Sequence, residues 1–305
     1  MRIVYLVVSH RNPPQVLRLV GALREGHAAE VVVRHDRRRS PLDAPALERA
    51  GGRLLEDGID VEWGHESHLR MLLGAMALIR RELDPDWLVV LSGQDYPLRP
   101  MGEIEARLEA AGEDAFLGNP WRLETRRMPP PPADEFFLRY AYWHARVPAK
   151  TPGPPRRLRP LAYLRELPPP LEPRIGVRAP RLPFGPGRGC WVSSDWPTLG
   201  RGGLAAVVRA AREQRRLVRH YRRTVSPAES FFATVLMNDP ELRVSGDDRR
   251  FIRFSAGAPS PDLLTGADVE RLLASGAHFA RKFDAEADAE ALDLLDESRR
   301  AAGPR

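Results

Sequence analysis

One cysteine, Cys190, occurs in 305 residues, so no disulfide can form within the chain, which fits a reducing compartment. Lysine is nearly as scarce: Lys150 and Lys282 are two among 47 basic residues, and the rest are arginine. A lysine kept in such an arginine-rich sequence is wanted as a compact point charge rather than a planar fork, which flags Lys282. No apolar run approaches the ~20 residues that span a bilayer. The run over residues 3–8 is short for a signal-peptide core, and no small-residue cleavage site follows it. The chain therefore reads as unanchored and cytoplasmic. Metal-ligand patterns are poor as well. Of eight histidines only His65 and His68 lie close together, and no cysteine supports them. Asp84-Pro85-Asp86 precedes a strand-like segment and reads as a turn. There is no internal repeat.

An apolar fraction of 43% and a charged fraction of 29% are those of a soluble globular protein able to bury one large core or two modest ones. The net charge of +6 and pI of 9.9 raise nucleic acid as a partner. The charge is spread in short clusters, Arg37-Arg38-Arg39, Arg156-Arg157 and Arg215-Arg216, which read as solvated surface and argue against an extended nucleic-acid interface.

The first half alternates strand and helix signals. Residues 3–8 form a continuous apolar run, as in a strand covered on both faces. Pro13-Pro14 opens a helix with Leu17, Val20 and Leu23 near one face. Val31-Val32-Val33 is a second buried strand ending at His35-Asp36. Ser67 is placed to cap a helix striped by Leu69, Leu72, Leu73, Met76 and Ile79. Residues 87–91 and 115–117 are further strands. This alternation predicts an α/β fold with a mostly parallel, doubly wound central sheet flanked by helices. Prolines crowd residues 128–135 and 151–183, which read as long loops over a single domain spanning 1–305, because proline removes a donor and fixes φ. Strands over 189–193 and 251–254, helices over 227–237 and 268–273, and a helical tail over 285–305 complete the pattern.

Three places carry chemistry. The run Trp87-Leu-Val-Val-Leu91 stops at Ser92-Gly93-Gln94-Asp95, and ligands of open α/β sheets sit at the carboxyl ends of strands. In Ser226-Pro-Ala-Glu229, the glutamate is either the second half of a Ser-x-x-Glu capping box or a general base at a rigid helix start. Arg249-Arg250 and Arg281-Lys282 flank aromatic residues; they either cover a core edge or converge on a diphosphate. Gly185-Pro-Gly-Arg-Gly189 lacks the Lys-Ser/Thr and the helix of a phosphate loop, and reads as a bend allowing close backbone approach.

In order, these pieces resemble the core-2/I-branching β-1,6-N-acetylglucosaminyltransferase family, which includes the peptide O-xylosyltransferases. The matching segments are Tyr5-Leu-Val-Val-Ser-His10, Val33-Arg-His-Asp-Arg37, Trp63-Gly64 with Ser67, and Leu91-Ser-Gly-Gln-Asp-Tyr-Pro97. They continue with Leu123-Glu-Thr-Arg-Arg-Met-Pro129 and Arg139-Tyr140, Gly189-Cys-Trp-Val-Ser193, residues 226–232 and residues 279–284. The resemblance implies a GT-A-like fold and inverting transfer from a UDP-sugar, most simply UDP-GlcNAc with UDP-xylose as the alternative, onto a hydroxyl of a glycan. It implies no divalent metal or other cofactor. Glu229 matches the family's catalytic base. Lys282 matches its diphosphate lysine and Arg249 its diphosphate arginine, with Arg250 as rival and Arg281 adjacent. Asp36 matches a uridine contact, Asp95 lies where sugar or ribose sits, and His10 is a further donor-side candidate. Glu124 matches an acceptor-binding glutamate, and Trp191 stacks on a sugar ring or fills a core. The chain departs from the mucin-branching members at Pro132 and Glu135, where they carry basic residues, and lacks their disulfide cysteines. Without a membrane anchor, the resemblance is to a bacterial-type cytoplasmic member.

Overall fold

The computed structural model describes residues 1–302 except 26–28, 63, 126–134, 149, 159–160, 166–172 and 259; the side chains of residues 156 and 165 also fall outside the description. Trp63 and the stretch 126–132, with Pro132, therefore lie outside the described residues.

Seven strands form the central sheet: β1 (Ile3–Ser9), β2 (Glu30–His35), β3 (Gly52–Leu54), β4 (Trp87–Ser92), β5 (Ala115–Phe116), β6 (Thr198–Gly200) and β7 (Val244–Ser245). Their spatial order is β7-β5-β6-β4-β1-β2-β3. The β1–β2, β1–β4, β2–β3 and β5–β7 pairs are parallel, and β6 runs antiparallel to both of its neighbours. The α/β class and the mainly parallel sheet are thus as the alternating pattern predicts.

The unbroken apolar runs of β1, β2 and β4 have a physical reason: both sheet faces are covered. Tyr5, Val7, Val31, Val89 and Leu91 enter one core, with the helix Pro13–Arg24 and the C-terminal helix Glu290–Ala302. Val4, Leu6, Val32, Leu88 and Val90 enter the other, with the helices Glu66–Glu82, Arg201–Glu213 and Ala228–Leu236. The period of two sends alternate side chains to opposite faces, so a strand buried on both sides shows no polar alternation.

Local detail differs from expectation in three places. The helix Glu66–Glu82 is capped by His65, whose ring accepts from the Ser67 N–H; Ser67 itself lies buried in the first turn. The proline-rich stretch 151–183 is not all loop. Ala162–Arg165 and Arg174–Arg178 pair antiparallel, and Tyr142–Arg146 joins them in a small three-stranded sheet. No proline interrupts either strand, since Pro168, Pro169, Pro170 and Pro173 fall between them. The strand expected at 251–254 is Arg250–Ile252, in a second small sheet with Phe279–Arg281 and Tyr96–Pro97.

Candidate active site

From β1 the chain winds outward through β2 and β3, then returns to the other side of β1 as β4. The reversal leaves a crevice beyond the carboxyl ends of β1 and β4, the place where open α/β sheets bind ligands. A small open pocket lies there, lined by Ser9, His10, Asn12, Gly93, Gln94 and Asp284 among others. Gly93 permits this geometry: a Cβ on it would lie 2.6 Å from Ser9 Cβ. Beside it, the ends of β1 and β2 are latched. The Asp36 N–H donates to Ser9 O at 2.9 Å. His35 Nε2 donates to Ser40 O at 2.9 Å, so in the neutral ring Nδ1 accepts from Ser9 Oγ at 2.8 Å. Burial lowers the His35 ring below the ordinary histidine range. Asp36 is buried with Arg38 Nε at 3.1 Å; burial alone would raise its carboxyl, but the Arg38 hydrogen bonds outweigh that and hold it low. His10 is exposed at the cavity, lowered by partial desolvation and by Arg39 and Arg11.

The segment after the strand Phe279–Arg281 is fastened over this crevice. Gln15 Nε2 donates to Gly93 O and Phe283 O, both at 3.1 Å, and Gln15 Oε1 accepts from Ala285 N at 2.7 Å. Phe283 N donates to Gln94 O at 2.9 Å, and Arg11 Nη2 reaches Asp284 at 2.5 Å. Beneath it lies a buried charge cluster. Asp95 Oδ2 receives Arg250 Nη1 at 2.9 Å, both side chains 1% exposed, and Asp95 Oδ1 lies 3.4 Å from Arg281 Nε. Arg250 Nη2 donates to Val90 O at 2.7 Å. The guanidinium of Arg281 also sits 4.8 Å from the centroid of the Trp196 ring. His68 packs beside Trp196, and its Nδ1 is 3.6 Å from Asp195 Oδ2.

Asp195 is felt on both sides. Its charge acts on Asp95 and Arg250, and it raises the carboxyl of Glu229. Glu229 is in the first turn of the helix Ala228–Leu236, whose N-cap is Pro227 and which has no side-chain cap hydrogen bond. The capping-box arrangement is therefore absent. Ser226, at φ 48°, spends its N–H on Gly64 O at 2.9 Å, and its carbonyl accepts from Tyr140 Oη at 2.9 Å. Its hydroxyl bonds the Glu229 carboxylate. Glu229 is 31% exposed, and Arg139 Nη1 lies 2.8 Å from its Oε2. Burial pushes the carboxyl up to about 7 against the pull of Arg139, with Asp195 and Glu135 adding to the rise. Below the helix, Tyr221, Ser230 and Thr234 share buried hydroxyl contacts of 2.7–2.9 Å, with Cys190 Sγ 3.5 Å from Ser230 Oγ. These fix the helix that presents the carboxylate.

The remaining predicted residues are more dispersed. Lys282 Nζ donates to Ser260 Oγ at 3.1 Å. Arg249 pairs with Asp247 at 3.2 Å, is 49% exposed, and has φ 56°. Glu124 is exposed just past the strand Trp121–Leu123. Trp191, on Cys190–Val192, is half-buried against the core, and its backbone N–H donates to Thr234 Oγ1 at 2.9 Å. Asp84 and Asp86 are bridged by Arg201 at 2.5 and 3.0 Å. Among the described residues no cluster of three or more His, Cys, Asp or Glu side chains is arranged to hold a metal. His68, Arg139, Asp195 and Trp196 join the site without having been expected as site residues. Arg139 lies 90 positions from its partner, a separation no local spacing reveals.

No family model matches the chain, and no curated protein matches it in sequence. Among solved structures, the apo crystal structure of mouse xyloside xylosyltransferase 1 aligns over 91% of this chain and 97% of its own, with 10% identity and a TM-score of 0.43. A superposition of that quality carries no information on substrate or mechanism.

Proposed function

We propose that this chain is an inverting glycosyltransferase that moves a sugar, GlcNAc in the first instance, from a UDP-sugar to a hydroxyl of a glycan acceptor. One observation carries the reading: the Glu229 carboxyl is not used as a helix cap, is reachable from solvent, and is raised to about 7 by burial. A general base works best when its pKa lies near the operating pH, and a surface glutamate is far below it. The ordered segment resemblance suggests the substrate class, and the pocket lined by polar side chains at the reversal between β1 and β4 lies where open α/β sheets bind ligands.

In this reading Glu229 takes the proton from the acceptor hydroxyl as its oxygen attacks the anomeric carbon. The bond from that carbon to the diphosphate oxygen breaks, and UDP leaves with the electron pair on the opposite face. His10 and Asp36 face the uridine end. Arg281 and Lys282, and more distantly Arg249, stabilise the charge that develops on the diphosphate, a task a divalent cation performs in other transferases. Asp95 and Arg250 act as braces that aim Arg281. Glu124 and Trp191 belong to the acceptor side.

Calorimetric titration with UDP-GlcNAc and with UDP-xylose, each with EDTA present, tests this. Binding of UDP-GlcNAc that persists in chelator is expected. Tighter binding of UDP-xylose moves the donor assignment to xylose. Binding abolished by chelator contradicts metal-free transfer, and no binding of either donor removes the transferase reading.

A further inference from the structure

The small sheet of Tyr142–Arg146, Ala162–Arg165 and Arg174–Arg178 is built inside out. Residues directly opposite in an antiparallel pair share a face. Val177 stands opposite Trp143 and Ala162, and Ile175 opposite Ala145 and Leu164. One face is therefore Trp143, Ala145, Ala162, Leu164, Ile175 and Val177, and not one of the six is buried; Val177 is 49% exposed. The other face turns Tyr142 and Tyr163 onto Phe137 and carries Arg174 and Arg178 inward, to Glu62 and to Thr125 O. A one-sided antiparallel sheet ordinarily shows apolar residues inward and polar ones outward. Leu158 and Leu161, 41% and 57% exposed, lie on the chain leading into this sheet.

At its Trp143 end this face meets the C-terminal end of the most basic stretch of the chain. Residues 201–223 hold eight arginines and one glutamate, a surplus of seven in a chain of net charge +6, so the remainder carries −1. Arg201 and Arg209 are paired with aspartates, whereas Arg212, Arg215, Arg216, Arg219, Arg222 and Arg223 have no carboxylate partner among the described residues. The two features meet directly: the Arg223 guanidinium sits 4.6 Å from the Trp143 ring centroid, and Trp143 Nε1 donates to His220 Nδ1 at 3.1 Å.

We infer that this face docks the protein on an anionic lipid bilayer. Lipid headgroups of negative charge answer the unpaired arginines, and the interfacial acyl boundary answers the outward apolar face, the combination that holds surface-bound proteins. A nucleic acid answers only the arginines and leaves Leu161 and Val177 unaccounted for. The inference stands whether or not the sugar-transfer reading holds.

The experiment is vesicle flotation of the full chain with phosphatidylcholine alone and with phosphatidylcholine containing phosphatidylglycerol. Binding to the anionic vesicles alone is expected, weakening with salt. Each arginine near such a surface contributes about fivefold, so Arg216→Gln with Arg219→Gln weakens binding ~25-fold. Val177→Asp weakens it about tenfold or more, through loss of the apolar contact together with the added negative charge. Both changes lie at exposed positions and leave the melting temperature unchanged. Equal recovery with neutral and anionic vesicles, absence of binding, or undiminished vesicle binding by Val177→Asp overturns the inference. So does a duplex oligonucleotide that displaces the protein from vesicles and binds Val177→Asp as tightly as the parent.

Discussion

Arg139 Nη1 lies 2.8 Å from Glu229 Oε2, and the carboxyl still stands at about 7. Burial outweighs a touching cation. The guanidinium is held by its own partners, Glu135 Oε1 at 2.6 Å and the ring of Phe136 with its centroid 5.0 Å away, so its position is set independently of the glutamate. Replacing it by Arg139→Gln removes the larger pull toward the charged form and leaves burial and Asp195 opposed only by the Ser226 hydroxyl. The acid limb of kcat/KM is then expected to move to higher pH, with lower activity at pH 7 and partial recovery at pH 9. A limb that stays in place shows that Arg139 does not act on the base.

The same glutamate costs stability when charged. Its folded value lies above the unfolded one, so its contribution is fully present below about pH 4.5 and is lost as pH rises through 7. Glu229→Gln removes that loss. The variant is expected to melt higher than the parent at pH 8.5 and close to it at pH 4, as measured by calorimetric scans. A variant that melts lower at both values indicates that the ion pair with Arg139 outweighs desolvation.

His220 and His278 work in the opposite direction. Each is buried and lowered to about 4, mainly by desolvation. Trp143 Nε1 donates to His220 Nδ1, so Nε2 carries the proton and donates to Tyr140 O at 2.9 Å. Stability is fully present above the unfolded histidine pKa near 6.5 and falls as pH drops through 4, by up to about 3 kcal/mol for each ring. His278 Nε2 has no partner among the described residues. His278→Leu should therefore fold at neutral pH and lose less stability than the parent in urea titrations at pH 4.5. Parallel losses in both proteins refute the assignment for His278.

Gly93 sets the depth of the crevice. A Cβ there meets Ser9 Cβ at 2.6 Å and Val16 Cγ2 at 3.2 Å, and overpacking of this kind typically costs about 1–3 kcal/mol. Gly93→Ala should lower the melting temperature and weaken UDP binding more than tenfold. Unchanged UDP affinity in the folded variant separates the crevice from the nucleotide.

The parts of the fold legible in the sequence are those where one local signal dominates. Residues 3–8 and 87–91 are apolar without interruption because both faces of β1 and β4 are covered, and Pro13 opens a helix with Asn12 accepting from the Gln15 N–H. Competing signals hide the rest. The prolines of 151–183 mask two strands that contain none, and a Ser-x-x-Glu spacing suggests a cap that does not form, because Pro227 holds the cap position and the Ser226 hydroxyl bonds the Glu229 carboxylate instead. In the site, Glu229, Asp95, Arg250 and Arg281 stand out as charged residues at element ends. Their partners do not: Arg139 reaches Glu229, and Arg281 reaches Trp196, only through the tertiary fold. The polar Ser193-Ser194-Asp195 after the strand Cys190–Val192 is the one sequence signal that points toward Asp195.

The most direct measurement is the rate of UDP release from UDP-GlcNAc in the presence of a glycan acceptor and EDTA, compared between the parent and Glu229→Gln. General-base help contributes typically ~10²–10⁴-fold, so the variant is expected to lose that factor in kcat while its donor affinity stays within about twofold. Turnover by Glu229→Gln close to that of the parent contradicts the role of this carboxylate and, with it, the proposed chemistry.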